Sequence, residues 1–238
     1  MEHGKKLTSP TSNRFVIISL GGSIIIPEEI DIQFLKKFRQ LILRQVKKGQ
    51  RFIIIVGGGR TCRKYQNVAK EITKPTHEDL DWIGIHTTRL NAHLLRTIFR
   101  EIAHPAVIRH YNEKIHTKKN VIIAAGWKPG HSTDYDATMW AKNFKSQTVL
   151  NLSNIDYVYD KDPKYHKDAK RFERVSWKDF RKLVGNKWDP GLNAPFDPVA
   201  SREAQRLGIK IIIMNGRNLA NLENFLNGKN FKGTIIEG

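Results

Sequence analysis

Two glycine turns are the first residues in this chain whose type and placement could do chemistry: Gly21-Gly22-Ser23, directly after Ser19-Leu20, and Gly57-Gly58-Gly59, with Arg63 and Lys64 just beyond. Glycine lets a backbone come close to a ligand, and free amides at the start of a helix bind phosphate oxygens. One such turn serves equally as a tight connection, but two after successive strands could hold two phosphorylated ligands facing each other. Arg63, one turn into the second helix, is placed to reach phosphate. A third element, Gly126-Trp127-Lys128-Pro129-Gly130-His131-Ser132-Thr133-Asp134, packs glycines, hydroxyls, a cation and a carboxylate together, a set suited to recognising a base and a phosphate at once. Asp134 can also cap the helix that follows, a structural role compatible with a catalytic one. A fourth segment, Ser153-Asn154 followed by Asp156, Tyr157, Tyr159, Asp162 and Lys164, supplies aromatic, acidic and basic groups fit for adenine, ribose and phosphate. Asp81 stands near the start of a long helix with Arg89 two turns on.

Several chemistries are excluded. No G-x-x-x-x-G-K-[ST] occurs, so this is not a P-loop enzyme, and Cys62 occupies the last glycine position of a dinucleotide fingerprint begun at Gly57. The H-R-D and D-F-G signatures of protein kinases are missing. No H-E-x-x-H or paired-cysteine motif supports a catalytic metal.

The elements that must position these groups alternate. Apolar, β-branched runs predict strands over 14–20, 51–56, 121–125, 148–152, 209–215 and 233–236. Helical spacing predicts helices from Asp31 to a stop at Gly49, and over 61–72, 79–102, 134–144, 177–184, 198–207 and 219–226. Strands separated by helices imply a mostly parallel sheet covered on both faces, in which ligands bind beyond the carboxyl ends of the strands. Every glycine cluster falls at such an end. One compact domain with two lobes, over about 13–145 and 146–238, is the expected organisation.

Composition sets the class. The 238 residues hold an ordinary apolar share for a globular chain, and no apolar run approaches the roughly 20 residues a membrane span needs. The start over 1–6 lacks a signal peptide's apolar core. One cysteine, Cys62, can form no internal disulfide, which fits a reducing compartment, so a cytoplasmic location is expected. The net charge of +18 allows a field that attracts anionic nucleotides, a nucleic-acid-binding face, or simply a solvated basic surface. The basic residues form no single tail and no nucleic-acid motif accompanies them, which argues against the second.

Taken together, Leu20-Gly21-Gly22-Ser23, Val56-Gly57-Gly58-Gly59 with Arg63-Lys64-Tyr65, Asp81-Trp82-Ile83-Gly84-Ile85, Pro129-Gly130-His131-Ser132-Thr133-Asp134 and the stretch 156–164 resemble the amino-acid kinase family, and within it the archaeal-type uridylate (UMP) kinases. The resemblance implies an α/β fold, a three-layer αβα sandwich, whose first lobe binds the acceptor and whose second binds ATP with Mg²⁺. It implies transfer of the γ-phosphoryl of ATP to UMP. By position, Ser19, Leu20, Gly21, Gly22, Ser23, Gly59 and Arg63 would wrap the ATP phosphates, and Ser153, Asn154, Tyr159, Asp162 and Lys164 would contact the rest of ATP. Gly58, Asp81, Trp127, Lys128, Pro129, Gly130, His131, Ser132 and Thr133 would hold UMP, with Asp81 at the ribose. Asp134 would organise the charges around the transferring group, with Arg63 beside it. A homo-oligomer, with a hexamer as the expected size, is implied as well.

Two departures stand out. Many members of the family carry a phosphate-binding lysine where this chain has Ser19, and Tyr157 replaces a customary glycine. The stretch 187–198, with Trp188, Pro190, Gly191, Pro195 and Pro198, matches no motif and is expected to be a substrate-side or subunit-contact loop. The same fold acting on a carboxylate, carbamate or isopentenyl phosphate, and a catalytically silent nucleotide-binding relative, remain the alternatives.

Overall fold

The computed structural model describes residues 15–185, 187 and 194–238. The order is β1 (Phe15–Leu20), α1 (Gly22–Ile25), α2 (Ile32–Lys47), β2 (Arg51–Val56), α3 (Gly59–Ile72), α4 (His77–Ile98), β3 (Val121–Ala124), α5 (Thr133–Asn143), β4 (Thr148–Ser153), β5 (Val158–Tyr159), β6 (Arg171–Phe172), β7 (Arg174–Ser176), α6 (Trp177–Val184), α7 (Pro198–Arg206), β8 (Lys210–Asn215), α8 (Leu219–Leu226) and β9 (Thr234–Glu237).

The central strands carry apolar side chains on both faces, and a strand of that kind is stable only between two helical layers. Phe52, Ile54 and Val56 of β2 point into a core shared with α2, α4 and α8, while Ile53 and Ile55 point into a second core shared with α5, α6 and α7. The result is the αβα sandwich. The sheet runs β3-β2-β1-β4-β8-β9-β7. Its first five strands are parallel, with Ile17 of β1 opposite both Ile53 and Val149. Strand β9 is antiparallel to β8, and β7 runs parallel to β9.

The chain winds outward in one direction from β1 and in the other from β4. The crevice where a ligand settles therefore opens between the carboxyl ends of these two neighbours. Both glycine turns are anchored there, since Gly21 N donates to Leu152 O at 2.9 Å and Gly57 N donates to Leu20 O at 2.9 Å.

Several expectations shift. Helix α4 stops at Ile98 instead of continuing to 102, α3 begins at Gly59, two residues early, and β3 ends at Ala124. The short strands β5, β6 and β7 are additions that the sequence patterns do not predict. Residue 14 at the start of the first expected strand, the polar arm before it and positions 188–193 of the 187–198 stretch lie outside the described residues. Among the described residues no helix is long and apolar enough to cross a membrane.

Candidate active site

The two glycine turns do not merely face one another; their backbones touch. A Cβ on Gly22 would lie 2.2 Å from Gly59 N and 2.5 Å from Gly57 O, closer than atoms approach, so only glycine permits the contact. Gly59 itself sits at φ +67°, a left-handed conformation that favours glycine. Ser23 is partly exposed beside this junction, whereas the Leu20 side chain is buried in the core and only its backbone reaches the turn.

Next to the junction stands Asp134, in the first turn of α5. Its Oδ1 accepts from the Ser19 hydroxyl at 2.9 Å and from Asn151 Nδ2 at 2.9 Å, so strands β1 and β4 both hold it. Its Oδ2 accepts from the backbone N–H of Asp197 at 3.2 Å. Withdrawal from water, followed by repulsion from the nearby Asp197 carboxylate, raises its pKa to about 7. Asp134 does not cap its helix. Ser132 does, accepting from Tyr135 N at 3.1 Å, because the helix begins one residue earlier than the sequence suggested. This correction frees both Asp134 oxygens for the cluster just described. Ser19, in the place of the usual lysine, is buried and spends its hydroxyl on Asp134, so it brings no charge to the site.

On the other side of the second turn is a cavity of about 240 Å³. Gly58, Gly59, Arg63, Asp81, His131, Ser132 and Thr133, all proposed from sequence, line it together with Cys62, Gln66 and Gly84. Arg63 is the only Lys or Arg among its lining residues. Burial pushes the Cys62 thiol up and keeps it protonated, and burial pushes His131 down toward its neutral form. The capped, acid-rich start of α4 presents Asp81, whose Oδ2 accepts from Gly130 N at 2.7 Å and pins the tip of the 126–134 loop. Trp127 and Lys128 form the outer part of that loop, with Lys128 Nζ 4.6 Å from the Trp127 ring and the Trp127 ring among His110, Tyr111 and His131. Pro129 joins them to Gly130 at the tip. Arg89 donates to the Trp127 carbonyl at 3.0 Å.

The segment after β4 is separate from this cavity. Ser153 Oγ is buried without a partner among the described residues, a hydroxyl left available at the carboxyl end of β4. Asn154 and Lys164 are exposed, Asp162 Oδ1 accepts from Lys164 N at 2.9 Å, and Tyr159 lies in the small β5-β6 pair. Tyr157 keeps a negative φ, since Lys145 is the only non-glycine residue with a positive one among those described, and Arg171 lies 4.9 Å over its ring. The departure from glycine therefore costs no backbone strain.

Sequence reasoning missed two members of the Asp134 cluster. Asn151 left a trace as the lone polar residue inside an apolar strand, buried at 6% exposure. Asp197 looked like an ordinary helix start before Pro198; it does cap α7, accepting from Ala200 N, but its backbone amide also serves Asp134.

Comparison with known proteins fits this geometry. A uridylate kinase of Thermococcus sibiricus is 32% identical over 225 residues, covering 93% of this chain and 99% of that protein. One of Thermoplasma volcanium is 33% identical over 228 residues, covering 94% and 98%. The crystal structure of uridylate kinase from Archaeoglobus fulgidus superimposes with a TM-score of 0.78 at 28% identity over 93% of this chain and 99% of that one. A UMP kinase structure from Bacillus anthracis, at 21% identity and a TM-score of 0.76, shares the fold. With residues 14–215 matching the family model as well, the chain belongs to the amino acid kinase family.

Proposed function

We propose that this protein transfers the γ-phosphoryl group of ATP to UMP, giving ADP and UDP. The observation that carries the reading is the backbone contact between the two glycine turns beside the Asp134 carboxylate. Phosphoryl transfer asks a protein chiefly to bring donor and acceptor into line and to neutralise the equatorial oxygens. Two sets of turn amides in contact, each next to its own ligand region, suit that task, and Arg63 supplies a fixed positive charge. The name of the acceptor comes from the relatives: uridylate kinases align with 93–94% of this chain.

In this reading UMP occupies the cavity of about 240 Å³, its phosphate toward Gly58, Arg63 and Thr133 and its ribose toward Asp81. ATP lies across Gly21, Gly22 and Ser23 with its nucleoside toward Ser153, Asn154, Tyr159, Asp162 and Lys164. The stretch 13–145 then acts as the acceptor lobe and 146–238 as the ATP lobe. Asp134, held by Ser19 and Asn151, orients the charged groups at the junction. Mg²⁺ would arrive with ATP and shield its phosphate oxygens; the Asp134 carboxylate, a hard oxygen donor, fits such an ion. A cytoplasmic location agrees with these substrates. Self-association, with a hexamer as the working expectation, is supported by α3, which exposes Tyr65, Val68 and Ile72 along one stripe while burying only Gln66.

The test is ADP release by the purified protein with ATP, Mg²⁺ and, in turn, UMP, CMP, AMP, acetylglutamate, carbamate and isopentenyl phosphate. UMP should be turned over fastest. No turnover with UMP, or a higher kcat/KM for a non-nucleotide acceptor, refutes the reading.

A further inference from the structure

Helix α4 does more than wall the acceptor cavity. Thr88 and Asn91, three residues apart and so on one face of the helix, reach two different loops. The Asn91 side chain, 2% exposed, donates through Nδ2 to Gly57 O at 2.9 Å and to Gly58 O at 3.1 Å. The Thr88 hydroxyl donates to Ile85 O at 2.7 Å and accepts from Gly126 N at 2.9 Å, at the root of the 126–134 loop.

The first pair of bonds fixes something glycine cannot fix for itself. Gly57 and Gly58 are free to rotate, and a rotated peptide would present a carbonyl oxygen where a phosphate oxygen must lie. No cis peptide occurs among the described residues, and in a planar trans peptide the N–H points opposite to the C=O. With both carbonyls drawn toward Asn91, the N–H groups of Gly58 and Gly59 point away from it. Those two residues line the cavity and Asn91 does not. We propose that Asn91 is a positioning residue for phosphoryl transfer, locking the second glycine turn with its amides aimed at phosphate, and that Thr88 does the same for the acceptor loop without acting on the transferring group. The proposal rests on the reading that phosphate sits at Gly58, Gly59 and Arg63.

The two residues should separate in kinetics. Asn91→Leu keeps the size but removes both bonds, and kcat should fall on the order of 10²-fold, as for loss of a preorganised donor set or a small misplacement of the reacting groups. Its KM values should move less than about threefold, with no loss of melting temperature large enough to leave protein unfolded at the assay temperature. Thr88→Val should raise KM for UMP with kcat retained, and Thr88→Ser, which keeps the hydroxyl, should restore it. A folded Asn91→Leu with kcat within about threefold of the parent, or a deficit that disappears once activity is scaled to the folded fraction, overturns the proposal. If Asn91→Leu does not accumulate folded, Asn91→Asp decides: its carboxylate repels the two carbonyls, so wild-type kcat there overturns the proposal and a similar hundredfold loss supports it. Arg63→Gln is the control for the underlying reading. Full activity in Arg63→Gln refutes the phosphate placement itself, whereas impaired Arg63→Gln beside a normal Asn91→Leu refutes only the role of Asn91.

Discussion

Asp136, two residues beyond Asp134 on α5, makes the sharpest energetic prediction. It is 1% exposed, and neither carboxylate oxygen has a well-formed hydrogen bond among the described residues. Burial raises its pKa to about 8, and the weak opposing pull of the Trp127 backbone amide is outweighed. The folded protein therefore holds a proton on this carboxyl between pH 4 and 8 that the unfolded chain, with an ordinary pKa near 3.8, gives up. Stability contributed at this position is greatest below about pH 4 and falls as pH rises to about 8, by about 1.4 kcal/mol per pH unit. Asp136→Val removes the titrating group. Whatever constant offset its repacking introduces, the stability of the variant relative to the parent should climb by about 4 kcal/mol between pH 5 and pH 8. Urea denaturation of both proteins at one-unit steps from pH 5 to pH 9 measures this directly. Asp134 titrates in the same direction, but it is present in both proteins and drops out of the difference. Parallel stability curves for parent and variant would refute the account of Asp136 as a buried, protonated acid.

Two further outcomes test the site. Asp134→Asn should retain the Ser19 and Asn151 cluster in outline but lose its charge, lowering kcat by roughly 10²-fold or more; the parent kcat/KM should rise through about pH 7 as Asp134 ionises, and that inflection should vanish from the residual activity of the variant. Gly22→Ala should cost roughly 3 kcal/mol or more, because its Cβ meets backbone atoms of Gly57 and Gly59 that cannot step aside, and a thermal melt matching the parent would contradict the contact.

The core of the fold was legible because its elements are written in residue type. Apolar, β-branched runs such as Phe52-Ile53-Ile54-Ile55-Val56 have few other uses, and the helices at Trp177–Val184 and Leu219–Leu226 match their expected bounds. The short strands β5, β6 and β7 escaped notice because two or three residues carry no periodicity, and nothing local marks β9 as antiparallel to β8. The cap of α5 was misplaced because Ser132, Thr133 and Asp134 all cap well, and only the phase of the helix chooses among them. Much of the candidate site was visible as glycine clusters and acid-rich loops. What tertiary structure alone revealed was which groups share one carboxylate: the Asp197 amide, the Asn151 carboxamide and the Ser19 hydroxyl have no sequence relationship to one another.

The bond from Ser19 to Asp134 spans 115 positions of chain, and β1 gains its second neighbour only when β4 arrives. Contacts so distant in sequence form late and slow folding, because a long loop must close before any bonding repays it. A chain emerging from the ribosome thus carries one edge of β1, a strand buried along its whole length in the finished fold, unpaired through much of synthesis, a surface open to association with other chains. The environment that sets the acidity of Asp134 exists only once α7 has docked, so an N-terminal fragment holding both glycine turns would still lack a finished transfer centre. Phosphoryl transfer in this protein is in that sense a property of the completed chain, and truncation before α7 would abolish it however well the earlier strands had folded.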